Sequence, residues 1–289
     1  MPNVYEIVTE QVVKMLETGI TAPWKKPWSC EPPVNLISQK PYNGLNTWLL
    51  GIQGFGSKYF LTYAQAQKLG GNIKAGAKST MVVFWKPMEF KRMNPETQEL
   101  ENRNSAILRY SNVFNLSQTE GIAEKLGLSV DSKRTVDIEA CEAIVRAMPN
   151  PPKLEQHHRA AYVPAKDTIL MPERAAFQSI ENYYATNFHE LIHSTGHASR
   201  LARPGIEKLE SFGTESYSKE ELIAELGASM LCGLTGIAPA VIEQSASYLA
   251  NWVKVLKGDS KLIVSASSAA QKAADYVRGV RKLDEVAGI

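Results

Sequence analysis

The sequence predicts two α+β domains: a small N-terminal one built of an antiparallel sheet and helices, then a mainly helical C-terminal one. Three observations carry this prediction. The chain has 289 residues, and domains of roughly 100–200 residues make two the natural division. Short β-type runs fall in the first half, whereas helical spacing dominates from Phe177 onward. Charge divides in the same way. Gly19 to Arg92 holds ten Lys and Arg against Glu31 and Glu89, a net +8, in a chain of net +2. The expected division is 1–120, a transition at 121–152, and 153–289.

The elements follow in order. Val4, Ile7, Val8, Val12, Val13 and Leu16 recur at helical spacing. Thr21-Ala-Pro-Trp-Lys-Lys-Pro-Trp cannot be a regular helix, because its two prolines remove donors and restrict their neighbours. Pro41-Tyr-Asn-Gly reads as a turn, with a short helix after it to Leu50. Thr62 to Leu69 reads as a helix stopped by Gly70-Gly71. Ser79 to Lys86 and Ile107 to Phe114 read as strands, with polar Lys91 to Asn104 as the hairpin loop between them. A helix is expected around Asp137 to Met148, ended by Pro149, Pro151 and Pro152. Ala161–Pro164 and Asp167–Pro172 read as strands about a tight turn. The latter, at Thr168 to Met171, is expected beside a cleft, where it can pair with an extended peptide.

Composition narrows the function classes. With 44% hydrophobic and 21% charged residues, the chain fits neither a disordered nor a membrane-spanning protein. Its start lacks signal-peptide character, and no apolar run nears the ~20 residues of a bilayer crossing. Cys30, Cys141 and Cys232 are scattered and odd in number, which is no disulfide framework. A cytoplasmic, reducing location is expected.

The basic segment also holds Trp24, Trp28, Trp48 and Trp85. Lysines neutralise phosphates, and ring faces stack on unpaired bases of any sequence. Most of these rings are expected in the core. Trp24, Lys25, Lys26, Trp28, Tyr42, Lys74, Lys78 and Lys86 are the candidates for contact with single-stranded nucleic acid.

The catalytic signal is His189-Glu-Leu-Ile-His193. On a helix, residues four apart share a face one turn apart, so both imidazoles can reach one ion, with Glu190 placed as general base. Zinc lowers the pKa of a bound water from about 15.7 to near 7, within reach of a carboxylate base. A catalytic site needs a third protein ligand. His197 is one candidate, but ligands at i, i+4 and i+8 of a straight helix span about 12 Å. The alternative is a second helix, Ser218-Lys-Glu-Glu-Leu-Ile-Ala-Glu-Leu-Gly-Ala, whose Ser218/Glu221 spacing suggests a capping box at its start. Glu221 and Glu225 lie one turn apart there. One can bind the ion while the other orients a ligating histidine.

These segments resemble the ArdC-type antirestriction proteins of plasmids and phages along nearly the whole chain. The resemblance rests on Thr21–Trp28, Pro41-Tyr-Asn-Gly-Leu-Asn, Leu61-Thr-Tyr-Ala-Gln-Ala-Gln and Val82-Val-Phe-Trp-Lys-Pro. In the second half it rests on Tyr183–His197, Glu220-Glu-Leu-Ile-Ala-Glu-Leu-Gly-Ala, Trp252 and Gln271-Lys-Ala-Ala-Asp-Tyr. It implies an N-terminal domain that binds single-stranded DNA, a zincin-like metallopeptidase domain, and protection of incoming DNA. The Glu-xxx-Glu spacing is similar to that of gluzincins, which implies Glu221 as ligand and Glu225 behind it. The expected ion is Zn2+, with Mn2+ as the alternative. The expected partners are single-stranded DNA and a protein or peptide substrate.

Overall fold

The computed structural model describes residues 3–18, 31–93, 100–130, 136–207, 215–237 and 246–280. Helix α1 spans Val4–Thr18. Strand β1 (Val34–Asn35), helix α2 (Leu45–Gly51), strand β2 (Tyr59–Thr62) and helix α3 (Tyr63–Lys68) follow. Thr62 caps α3 reciprocally with Gln65, which satisfies donors the helix start would otherwise leave open. Strand β3 (Asn72–Ile73) precedes the long strands β4 (Thr80–Met93) and β5 (Leu100–Asn115). The first sheet has the order β1-β2-β5-β4.

The β4–β5 ladder continues unbroken from Thr80↔Val113 to Met93↔Leu100. Lys91 to Met93 and Leu100 to Asn104, expected within a loop, are therefore strand, and 94–99 lie outside the described residues. Polar side chains gave no strand signal there, but a ladder is built by backbone N–H and C=O groups whatever side chains they carry.

After strand β6 (Thr119–Glu120) and helix α4 (Ile122–Leu126), helix α5 (Ile138–Ala147) begins the second half. Strands β7 (Lys153–Gln156), β8 (Ala161–Val163) and β9 (Thr168–Met171) form a sheet of order β7-β9-β8. Helices α6 (Ile180–Ser194), α7 (Pro204–Glu207), α8 (Glu215–Thr235), α9 (Ala246–Gly258) and α10 (Leu262–Val277) complete the fold. Among the described residues, no helix is long and apolar enough to cross a membrane.

Two expectations are corrected here. Helix α8 begins at Glu215, so Ser218 is not its cap. Ser218 is instead buried inside the helix and bonds Asn251 Nδ2 at 3.3 Å. The strand at Thr168–Met171 is the central one of its sheet. Both its edges are paired, and β7 and β8 are the edge strands.

The main core runs through both halves. Val8, Val12, Trp48 and Leu108 share one buried cluster with Ile192, Leu222, Trp252 and Ala270. Polar bonds cross the same seam: Thr9 Oγ1 donates to Ser260 O at 2.8 Å, and Gly44 N donates to Gln271 Oε1 at 2.9 Å.

Candidate functional site

Helix α6 supplies the first part of the site. Ser179 Oγ accepts from Asn182 N and starts the helix. Tyr184, Phe188 and Ile192 anchor its inner face in the core, while His189, Glu190 and His193 turn toward a cavity of about 350 Å3. Helix α8 crosses α6 closely because of Gly227. A Cβ there would stand 2.8–3.0 Å from three carbons of Ile192. Gly227→Val is expected to destabilise the fold by about 1–3 kcal/mol through this overpacking, read as a lower midpoint of thermal unfolding.

The crossing brings Glu221 of α8 to the two histidines. His193 Nε2 lies 3.1 Å from His189 Nε2 and 3.5 Å from Glu221 Oε1, and His189 Nε2 lies 3.7 Å from Glu221 Oε2. His189, His193 and Glu221 are the group of metal-ligating side chains that converges among the described residues. Two ring nitrogens and a carboxylate at this spacing suit one divalent ion, whose bonds to such atoms are about 2 Å. His197 does not join them. It lies beyond the helix end, where its Nδ1 pairs with Ser199 Oγ at 2.8 Å. Glu225 lies one turn along α8 and is 3% exposed.

Glu190 borders the donors without being one of them. Its Oε2 accepts from the Tyr162 backbone N–H of β8 at 2.7 Å. Burial pushes its carboxyl above the usual range, against the pull of His193 and of that N–H. Burial disfavours a charged His193, but Glu220 and Glu221 outweigh it and push its pKa up to about 10.

The sequence reading missed three residues that fix this geometry. Glu220 Oε1 stands 3.6 Å from His193 Nδ1 on the side away from the ligand atoms. Arg203 holds Glu220 through Nε and Nη2, and also donates to Thr195 Oγ1 and Ile192 O at the end of α6. Burial raises the Glu220 pKa, but His193 and Arg203 hold it below the usual range. Arg200 is the third. Its side chain is 0% exposed, and it joins Ser194 O at 2.8 Å to Asp167 Oδ2 at 3.0 Å and the Tyr162 hydroxyl at 3.2 Å. This pins the β8–β9 turn onto the end of α6 and so sets the Tyr162 N–H against Glu190. Glu220 adjoins Glu221 in sequence, which was a usable signal. Nothing in the pattern marked Arg200 or Arg203.

The nucleic-acid candidates are more dispersed. Trp24, Lys25, Lys26 and Trp28 lie outside the described residues. Tyr42 is half-buried, edge-on to Phe60, with its hydroxyl accepting from Asn35 Nδ2 at 3.3 Å. Lys74 Nζ donates to Ser117 O at 2.8 Å, and Lys78 is exposed. Lys86 is exposed on β4. The register puts Phe84 opposite Arg109 and Lys86 opposite Ile107, and strand alternation sets all four on one face. That face is basic and solvent-exposed, with Phe84 46% exposed. Trp48 is fully buried, but the expectation that most rings lie in the core is corrected, because Trp85, Phe84 and Tyr63 are exposed where their strand and helix faces meet solvent.

Comparison with known proteins finds a family match in each half of the chain. Residues 139–269 match the zincin-like metallopeptidase family, and residues 2–114 match the N-terminal domain of the anti-restriction factor ArdC. The metal-free crystal structure of the antirestriction ArdC protein from the R388 plasmid superposes with a TM-score of 0.76 at 35% identity. The match covers 96% of this chain and 97% of that one. Its Mn(II)-bound structure gives 0.71 with the same identity and coverage. Two DNA primase TraC proteins of Escherichia coli are each 34% identical over 94% of this chain, which spans only 27% and 20% of their lengths. The uncharacterized protein y4eC of Sinorhizobium fredii is 28% identical over 95% of this chain and 91% of its own. Identity of 35% along almost the whole of both chains, with a zincin-like half and an ArdC N-terminal half in the same order, shows that this chain belongs to the ArdC antirestriction family.

Proposed function

We propose that the protein shields incoming plasmid or phage DNA, with residues 1–120 binding single-stranded DNA and residues 153–289 forming a metallopeptidase. The observation that carries the peptidase reading is the convergence of His189, His193 and Glu221 beside a non-ligating Glu190 in one cavity. His189, His193 and Glu221 would hold a divalent ion, proposed to be Zn2+ or Mn2+, with Glu225 as a supporting carboxylate. The ion would supply Lewis acidity toward a peptide carbonyl.

The chain's own residues then have defined tasks. Glu190 takes the proton of the attacking water and returns it to the leaving amine. The Tyr162 N–H keeps that carboxylate aimed into the cavity. Strand β8 borders the cavity as an edge strand, and with its Tyr162 N–H taken by Glu190 it offers the Tyr162 carbonyl to an extended peptide, while Pro164 and Ile206 supply apolar walls. Cytoplasmic action is proposed from the scattered, odd-numbered set of Cys30, Cys141 and Cys232.

The DNA reading is supported by the basic face around Phe84, Lys86 and Arg109 and by the N-terminal family match. It is tested by titrating the full chain with single-stranded and duplex oligonucleotides of one sequence at several salt concentrations. The expected result is tighter binding to the single strand, falling steeply with salt. Equal affinity for the two forms would overturn it.

A further inference from the structure

Three motifs meet at one place. Pro41–Asn46 contributes Asn43 and Gly44, Val82–Pro87 contributes Phe84 and Trp85, and Gln271–Tyr276 contributes Gln271 and Lys272. They line a second cavity, of about 210 Å3, between β4 and α10. Pockets for drug-sized ligands run to roughly 300–1,000 Å3, so this one suits a single ring system.

Strand β4 ends its sheet, so its outer edge carries backbone groups with no strand beside them. Asn46 shows how that edge can be read. Its Nδ2 donates to Val83 O at 2.6 Å, and its Oδ1 accepts from Val83 N at 2.7 Å. Strand alternation aims the next outward pair, the N–H and C=O of Trp85, in the same direction. Neither has a hydrogen-bond partner among the described residues. The Asn46 carboxamide is a planar donor and acceptor side by side, and a nucleobase edge can present the same pair. Ring faces are also at hand, since Phe84 is 46% and Trp85 54% exposed. Lys272 on α10 is exposed, and no carboxylate pairs with it among the described residues.

We propose that this seam seats one nucleobase of single-stranded DNA. The Trp85 backbone edge bonds the base, an exposed ring of β4 covers its face, and Lys272 meets the adjoining phosphate. The inference rests on the DNA reading above. It adds that the zincin-like half, through α10, takes part in holding the strand.

The test is fluorescence anisotropy of a labelled single-stranded oligonucleotide with the full-length protein. Lys272→Glu is expected to weaken binding about tenfold and to lower the salt slope by about 1 or more. Phe84→Ala and Trp85→Ala are each expected to weaken it about fivefold or more at an unchanged unfolding midpoint. An oligonucleotide with abasic positions should lose the difference between Trp85→Ala and wild type. If the wild type binds the single strand while all three variants match it in affinity and salt slope, the seat is overturned and the parent reading stands. If the wild type shows no preference for the single strand, the parent reading fails and the seat with it.

Discussion

Glu190→Gln is expected to lower peptide-bond hydrolysis by about 10²–10⁴-fold, the usual worth of a positioned acid–base group, while bound metal stays at the wild-type level. The reason is that Glu190 lies next to the donors but outside their set. An amide oxygen can still accept the Tyr162 N–H that Glu190 now takes at 2.7 Å. Fold and donor geometry therefore survive, and only the proton acceptor is lost. Glu221→Gln is the contrast, because it weakens the donor set itself. Two readouts separate the variants: metal content by elemental analysis, and cleaved peptides from cells carrying wild type or variant. If Glu190→Gln left cellular proteolysis and antirestriction unchanged, the site would be structural, and the protein a DNA-coating protein with a vestigial centre.

The second large effect lies behind His193. Glu220→Gln is expected to reduce metal affinity by about 10–100-fold, the common cost of losing a carboxylate that orients a ligating histidine. Glu220 faces Nδ1 of the ring at 3.6 Å, beyond hydrogen-bond distance, while Nε2 faces the other donors, so a small closure on metal binding would let the acid hold the Nδ1 proton. Arg203→Met acts differently. It leaves a buried carboxylate without its cation, and removing one partner of such a pair typically costs about 3–5 kcal/mol. Competition against a chromophoric chelator measures the first effect and thermal unfolding the second. Equal chelator affinity for Glu220→Gln and wild type would show that Glu220 only braces the fold. Recovery of affinity in Glu220→Asp would support the orienting role.

The convergence of His189 and His193 was legible in the sequence because a helix converts spacing directly into geometry. Spacing alone left Glu221 and Glu225 both open as the third donor, and the resemblance to gluzincins singled out Glu221. Glu220 was less visible. One residue along a helix is 100° around it, which places Glu220 off the ligand side. Only the two-sided nature of the imidazole gives that position a use. Arg200 and Arg203 act from a loop, where no period predicts direction. The exchange of roles between β8 and β9 had a similar cause. Both runs read as strands, but which one lies in the middle depends on β7, whose residues are all exposed and carry no apolar signature. For the hairpin, a polar run reads as loop because alternation of apolar side chains is the strand signal, whereas the ladder needs only backbone groups.

The buried cluster shared by α1, α2, α6, α8 and α10 has a consequence for how this unit can be inherited. A break near residue 120 would strip Val8, Val12 and Trp48 of their apolar neighbours in the second half. The fragment so made would expose a sticky surface rather than a finished one. Recombination should therefore move the whole unit or none of it. The two TraC alignments fit this, each covering 94% of the chain within a far longer protein. The first half keeps small buried clusters of its own, but the two halves travel together because the largest cluster is built from both.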